Sequence, residues 1–183
     1  MYHLKKLLPG MLAIFFLFAC QSAEKKDNKS GATSLPHVKE TMANFSDSLS
    51  KDHFKLELIG KKPAETKLLF TIKNAAGKEI YRTQIAAKAL FDNYDTELDL
   101  SKEKNQVTFL HEEAENFFAE ENFLEPAVAE SEQPDANVPD KAFYNELKKT
   151  GLNGFKYRLG KESNLYIAWS EQLQKVQVYY KCC

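Results

Sequence analysis

Alternation of apolar and polar positions is clearest in the last third of the chain. Residues 155–159 (Phe-Lys-Tyr-Arg-Leu), 165–169 (Leu-Tyr-Ile-Ala-Trp) and 176–180 (Val-Gln-Val-Tyr-Tyr) each repeat with period two, the signature of a half-buried strand. The stretches between them, 160–164 and 170–175, are short enough for hairpins, so the pattern predicts a three-stranded antiparallel meander. An earlier run alternates the same way. Phe54, Leu56 and Leu58 stand opposite Lys55 and Glu57; Leu68, Phe70 and Ile72 follow, then Tyr81, Thr83 and Ile85. Asn74-Ala75-Ala76-Gly77 separates the last two segments, and Gly77 can supply the positive φ of a bulged hairpin.

Helical spacing occupies the rest. Val38, Met42, Phe45 and Leu49 predict a short amphipathic helix over 37–50. Leu110, Ala114, Phe117 and Phe118 predict another over 107–124, with glutamates on its far side. Asp140 can cap a third, which buries Phe143, Tyr144 and Leu147 and ends at Thr150-Gly151. Residues 125–139 carry Pro126, Pro134 and Pro139 and read as a long loop, a feature that compact domains keep for mobile or functional segments. Strand runs beside segregated helices indicate an α+β fold: mostly antiparallel sheet, in two three-stranded runs, with two or three helices packed on one face.

The first 36 residues belong to none of this. Lys5 and Lys6 precede an uncharged, mainly apolar stretch over 7–19, shorter than the roughly 20 residues a bilayer span requires. It ends in Leu17-Phe18-Ala19-Cys20 and turns polar at Gln21-Ser22. These residues resemble the lipobox of type II signal peptides. The resemblance implies a diacylglyceryl group on the Cys20 sulfur, cleavage before it and acylation of the new amine. Gln21, where enterobacterial relatives retained at the inner membrane carry Asp, implies the outer membrane, with the periplasmic and surface faces both open. Residues 21–36 lack aromatic side chains and read as a tether. The expected organisation is a signal peptide at 1–19, a disordered tether at 20–36 and one α+β domain at 37–183. Residues 117–123 and 160–169 are similar to small uncharacterised lipoproteins of Bacteroidota, which implies a location and no activity.

Charge sharpens the picture in one region. Losing residues 1–19 removes two lysines from 25 basic residues against 26 acidic ones, leaving a net charge of −3, which argues against a general nucleic-acid binder. Between Lys104 and Lys141 there are ten acids and no base; from Lys141 onward eight bases face three acids. Such a block is a solvated face or a surface for a cation or basic partner.

No catalytic motif stands. His111-Glu112-Glu113-Ala114-Glu115 opens like a zinc-protease helix but lacks the second His one turn on. His37 and His53 have no companions at ligand spacing. Asp92, Asp95, Glu97 and Asp99 lack the central Gly and terminal Glu of a calcium loop. Cys182-Cys183 admits a strained vicinal ring, intermolecular bridges or two thiols. In the meander, Phe155, Tyr157, Leu159, Leu165, Ile167, Trp169, Val176, Val178 and Tyr180 are expected to face inward. Lys156, Arg158, Tyr166, Tyr179 and Lys181 then face outward, where Tyr166 and Tyr179 beside Lys156 and Arg158 form a candidate ligand surface for a sugar or a protein. The expectation is a lipid-anchored, non-catalytic binding or accessory module with an envelope protein or glycan as partner, and with no cofactor or metal. The alternatives are an envelope enzyme or thiol-redox protein using Cys182 and Cys183, and a cation-binding module acting through the acidic segment 112–140.

Overall fold

The computed structural model describes Leu35 and residues 37–91, 96–160 and 163–182. The expected signal peptide, nearly all of the tether, Cys20, Asp92, Asp95 and Cys183 lie outside the described residues.

Alternation becomes strand pairing wherever it was legible. β2 (Asp52–Ile59), β3 (Lys67–Lys73) and β4 (Glu79–Ala86) are joined antiparallel, with Phe54 opposite Ile72 and Phe70 opposite Thr83. The β3–β4 turn closes as expected: Gly77 adopts φ +79° and its N–H donates to the Asn74 carbonyl at 2.7 Å. β6 (Gly154–Gly160), β7 (Ser163–Ser170) and β8 (Lys175–Cys182) form the second meander.

Each run gains a fourth strand, so the architecture is two four-stranded antiparallel sheets ordered β1-β2-β3-β4 and β5-β6-β7-β8. The expected helix over 37–50 is replaced by β1 (Val38–Ala43), an edge strand on β2. Val38 and Met42 are four residues apart, a spacing that puts them on one face of a strand as well as of a helix. They are half-exposed, at 50% and 51%, and the inward positions are Lys39, Thr41 and Ala43. Of the four apolar residues assigned to that helix face only Phe45 is buried. The fourth strand of the other sheet, β5 (Phe123–Leu124), comes from the end of the segment read as one helix over 107–124. That helix, α2 (Glu103–Asn116), stops because the Asn122 amide donates to the carbonyls of Asn116 and Phe117, at 3.4 and 3.1 Å, meeting acceptors a helix end leaves open.

The helices do not share one face. α1 (Ala87–Leu90) and α2 bring Leu90, Phe109, Leu110 and Ala114 into the core between the sheets, with Phe54, Phe70, Ile85, Phe155, Tyr157 and Ile167. α3 (Lys141–Thr150) packs on the opposite side of the second sheet, where Phe143, Tyr144 and Leu147 meet Ala168 and Tyr179. The second sheet is therefore covered on both faces. The central core is aromatic: Phe54, Phe70, Phe117, Phe118 and Phe155 lie with ring centroids 5.1–6.1 Å apart, within the range of favourable aromatic pairing. α3 ends as the sequence predicts. Asp140 Oδ1 accepts the N–H groups of Ala142 and Phe143, and Gly151 turns left-handed at φ +64°.

Candidate functional site

A β-bulge makes the site. Tyr166 pairs with Tyr180 while Ile167 pairs with Val178, so Tyr179 is an extra residue in β8. The alternation changes phase there. Tyr180, expected inward, sits on the Tyr166 side of the sheet half-buried, and Tyr179, expected on the outer surface, is only 3% exposed beneath α3. Gly154 on β6 makes room for it, since a Cβ there would lie 2.8 Å from the Tyr179 hydroxyl and 3.0 Å from the Ala127 Cβ.

The proline-rich segment 125–139 then wraps across this face. The Ala127 N–H donates to the Leu152 carbonyl at 2.8 Å, and the Lys181 N–H to the Asn137 carbonyl at 3.1 Å. Between the segment, the sheet and α3 lies a cleft of about 290 Å³, at the lower edge of the roughly 300–1,000 Å³ typical of small-molecule pockets. Four tyrosines line it: Tyr144 from α3, Tyr166 from β7, and Tyr179 and Tyr180 from β8. Leu124, Pro126 and Ala127 add apolar surface, and Glu132, Gln133 and Asp135 add polar groups.

The hydrogen bonds fix this lining. The Tyr144 hydroxyl donates to Glu132 Oε2 at 3.2 Å, and the Tyr180 hydroxyl to Asp135 Oδ2 at 2.9 Å while accepting from the Asn137 amide at 3.2 Å. Burial, with the Glu132 charge beside it, pushes the Tyr144 phenol up to about 12. Burial also raises the Tyr179 phenol, reinforced by Tyr166 and Glu132. Both stay protonated at neutral pH. The Tyr179 hydroxyl is buried without a hydrogen-bond partner, an arrangement that costs about 1–3 kcal/mol unless something satisfies it. Among the described residues the lining contains no His, Cys, Ser or Lys. Its chemistry is recognition by π faces, phenol donors and two carboxylates.

The four residues of the expected ligand surface do not act as one patch. Tyr166 and Tyr179 enter the cleft. Lys156 and Arg158 line a separate concavity of about 400 Å³ beside α2, and Arg158 is bound to Glu113 at 2.5 Å. The acidic segment 112–140 is likewise divided. Glu113 pairs with Arg158, Glu115 with His37 and Lys39, Glu132 and Asp135 serve the cleft, and Asp140 caps α3. Among the described residues no group of three or more His, Cys, Asp and Glu is arranged to hold a metal ion. Cys182 is half-buried at the end of β8, in register with Asn164.

One grouping escaped the sequence because its members are 74 positions apart. His37, just before β1, meets His111 on α2 edge to face, with ring centroids 4.9 Å apart. His37 Nε2 stands 2.8 Å from Glu115 Oε1, close enough for charge pairing though outside hydrogen-bond alignment, and Lys39 donates to Glu115 Oε2. Burial and the His37 charge hold the His111 imidazole below its ordinary value, and the Lys39 hydrogen bond holds Glu115 below the usual carboxylate range.

A wider concavity of about 690 Å³ runs between the 46–50 loop, the β3–β4 turn and the β7–β8 turn. Hydroxyls and amides dominate its lining, Trp169 is its one aromatic side chain, and no buried unpartnered group faces it among the described residues.

Fold and site together define a class: a two-sheet α+β domain with a tyrosine-walled acidic cleft on the helix-covered face of its second sheet. No protein-family model, curated protein or solved structure matches this chain.

Proposed function

We propose that this protein is a non-catalytic binding module of the bacterial envelope, anchored through lipid on Cys20, whose ligand occupies the cleft of Tyr144, Tyr166, Tyr179 and Tyr180. The observation that carries the binding reading is the cleft of about 290 Å³ itself, walled by four tyrosines and carrying the carboxylates of Glu132 and Asp135. The described lining holds no His, Cys, Ser or Lys, and the phenols of Tyr144 and Tyr179 are held in their protonated form, which supports binding over turnover. The Leu17-Phe18-Ala19-Cys20 run supports the anchor, since two or more acyl chains make membrane release negligible.

Two measurements test the reading. Mass spectrometry of the mature protein is expected to find Cys20 at the amino terminus, heavier by its acyl groups, with residues 1–19 gone; Cys20→Ser is expected to abolish membrane retention. Native mass spectrometry of protein taken from its own envelopes is expected to show a bound small molecule that Tyr180→Leu loses. A hydrolytic activity removed by one point change in the cleft would defeat the non-catalytic reading.

A further inference from the structure

The walls and the charges of the cleft select for one kind of ligand. Tyr166 stands nearly perpendicular to both of its neighbours, at 84° to Tyr180 and 75° to Tyr179, with ring centroids 5.2 and 6.1 Å away. Tyr179 is tilted 51° from Tyr144 across a centroid distance of 6.5 Å. Rings set at steep angles present π faces in several directions. That suits a compact, rounded group better than the flat face of a sugar, which stacks on one exposed ring plane.

The electrostatics point the same way. Glu132 and Asp135 put two carboxylates on the lining, and among the described residues no Lys or Arg shares it. Lys148 binds the Glu132 backbone carbonyl at 2.6 Å rather than its carboxylate. An anionic ligand is therefore repelled, and a cation gains both from the carboxylates and from the quadrupoles of the rings.

Hydrogen bonding narrows the cation. All four carboxylate oxygens already accept a bond: Glu132 Oε1 from the Ala129 N–H, Glu132 Oε2 from Tyr144, Asp135 Oδ1 from the Asn137 N–H and Asp135 Oδ2 from Tyr180. The site offers negative field and aromatic surface more than open acceptors. That favours an ammonium whose hydrogens are replaced by alkyl groups, because such a cation is cheap to desolvate and asks for no N–H acceptor.

Resting on the binding reading above, we infer that the cleft recognises an alkylated ammonium group of the kind carried by choline and betaines. The test uses the full-length chain carrying Cys20→Ser and isotope-labelled tyrosine rings, followed by aromatic NMR. The probes are choline, tetramethylammonium, neopentyl alcohol as a neutral group of the same shape, butylammonium as a primary ammonium, and glucose. Choline and tetramethylammonium are expected to shift the cleft tyrosines, with neopentyl alcohol about ten-fold weaker. Glu132→Gln, which keeps the side-chain shape, and Tyr180→Leu, at a half-buried position, are each expected to weaken choline several-fold while the protein stays folded by its melting curve. If neopentyl alcohol, butylammonium or glucose binds the same tyrosines as well as choline does, the inference is overturned and the binding reading stands. If none of the probes moves those rings, both fall.

Discussion

Gly154 has no Cβ, and the cleft depends on that gap. Its N-terminal position in β6 requires no unusual backbone angle; what it supplies is space, since a methyl there would press on the Tyr179 hydroxyl and on Ala127 together. Ala127 belongs to the wrapping segment and Tyr179 to the bulge, so both halves of the cleft would be pushed at once. Gly154→Ala is expected to lower stability by about 1–3 kcal/mol, the usual cost of overpacking a filled site. Urea denaturation measures the loss, and tyrosine-ring NMR should show Tyr179 displaced. A substitution that leaves both unchanged would mean the contact is soft. Residue-level reading of the sequence put Tyr166 and Tyr179 on one face as found but placed Tyr180 on the other, for a definite reason. A bulge inserts one position into a period-two pattern, and Val-Gln-Val-Tyr-Tyr carries no Gly or Pro to announce it.

At the level of elements, α3 is attached to the second sheet by one carboxylate as well as by its apolar face. Glu146 is 7% exposed, and it accepts hydrogen bonds from the Ser170 hydroxyl, at 3.0 and 3.1 Å, and from the Gln172 N–H at 3.1 Å. Ser170 is itself fully buried and its hydroxyl oxygen accepts the Leu173 N–H. The carboxylate thus organises the β7–β8 turn while holding α3 against β7. Glu146→Ala leaves a buried hydroxyl and a backbone donor without their acceptor, an expected loss of about 1–3 kcal/mol. Glu171→Ala, one residue into the turn and exposed, is the control expected to lie within about 0.5 kcal/mol of the parent. Equal midpoints for the two variants would rule out the tie. α3 itself was legible because its signals are local: an Asp cap, one apolar stripe and a terminal Gly. β1 and β5 were not, because each is defined by what it pairs with. Val38 and Met42 satisfy a helical and an extended spacing equally, and a two-residue strand such as Phe123–Leu124 is too short to carry any period.

Across the molecule, edge strand β1 is joined to α2 by the charges of Lys39, His37, His111 and Glu115, and this contact makes stability depend on pH. The His111 imidazole is held below its ordinary value of 6.5 by burial first and the His37 charge second, against an opposing pull from Glu115. An imidazole with a lowered folded pKa binds fewer protons in the native state than in the unfolded one. Stability therefore rises with pH in the interval between the two values. The contribution of His111 is complete above about 6.5 and is lost as pH falls through its lower folded value. Glu115 follows the same sign in a more acidic window, complete above its ordinary value of 4.5 and lost below it as the Lys39 hydrogen bond is titrated away. Its exposure means that salt screens this second step strongly. Urea midpoints taken from pH 7.5 to 4 are expected to decline in the His111 window first and the Glu115 window second. His111→Gln, which cannot titrate, should flatten the first decline and leave the second, and added salt should diminish mainly the second. Parallel acid profiles for the parent and His111→Gln would show that the β1–α2 contact does not set the response. No spacing rule could have revealed this grouping, since His37 and His111 read as isolated histidines along the chain. Only the pairing of β1 along β2, which carries the residue before it to α2, brings them edge to face.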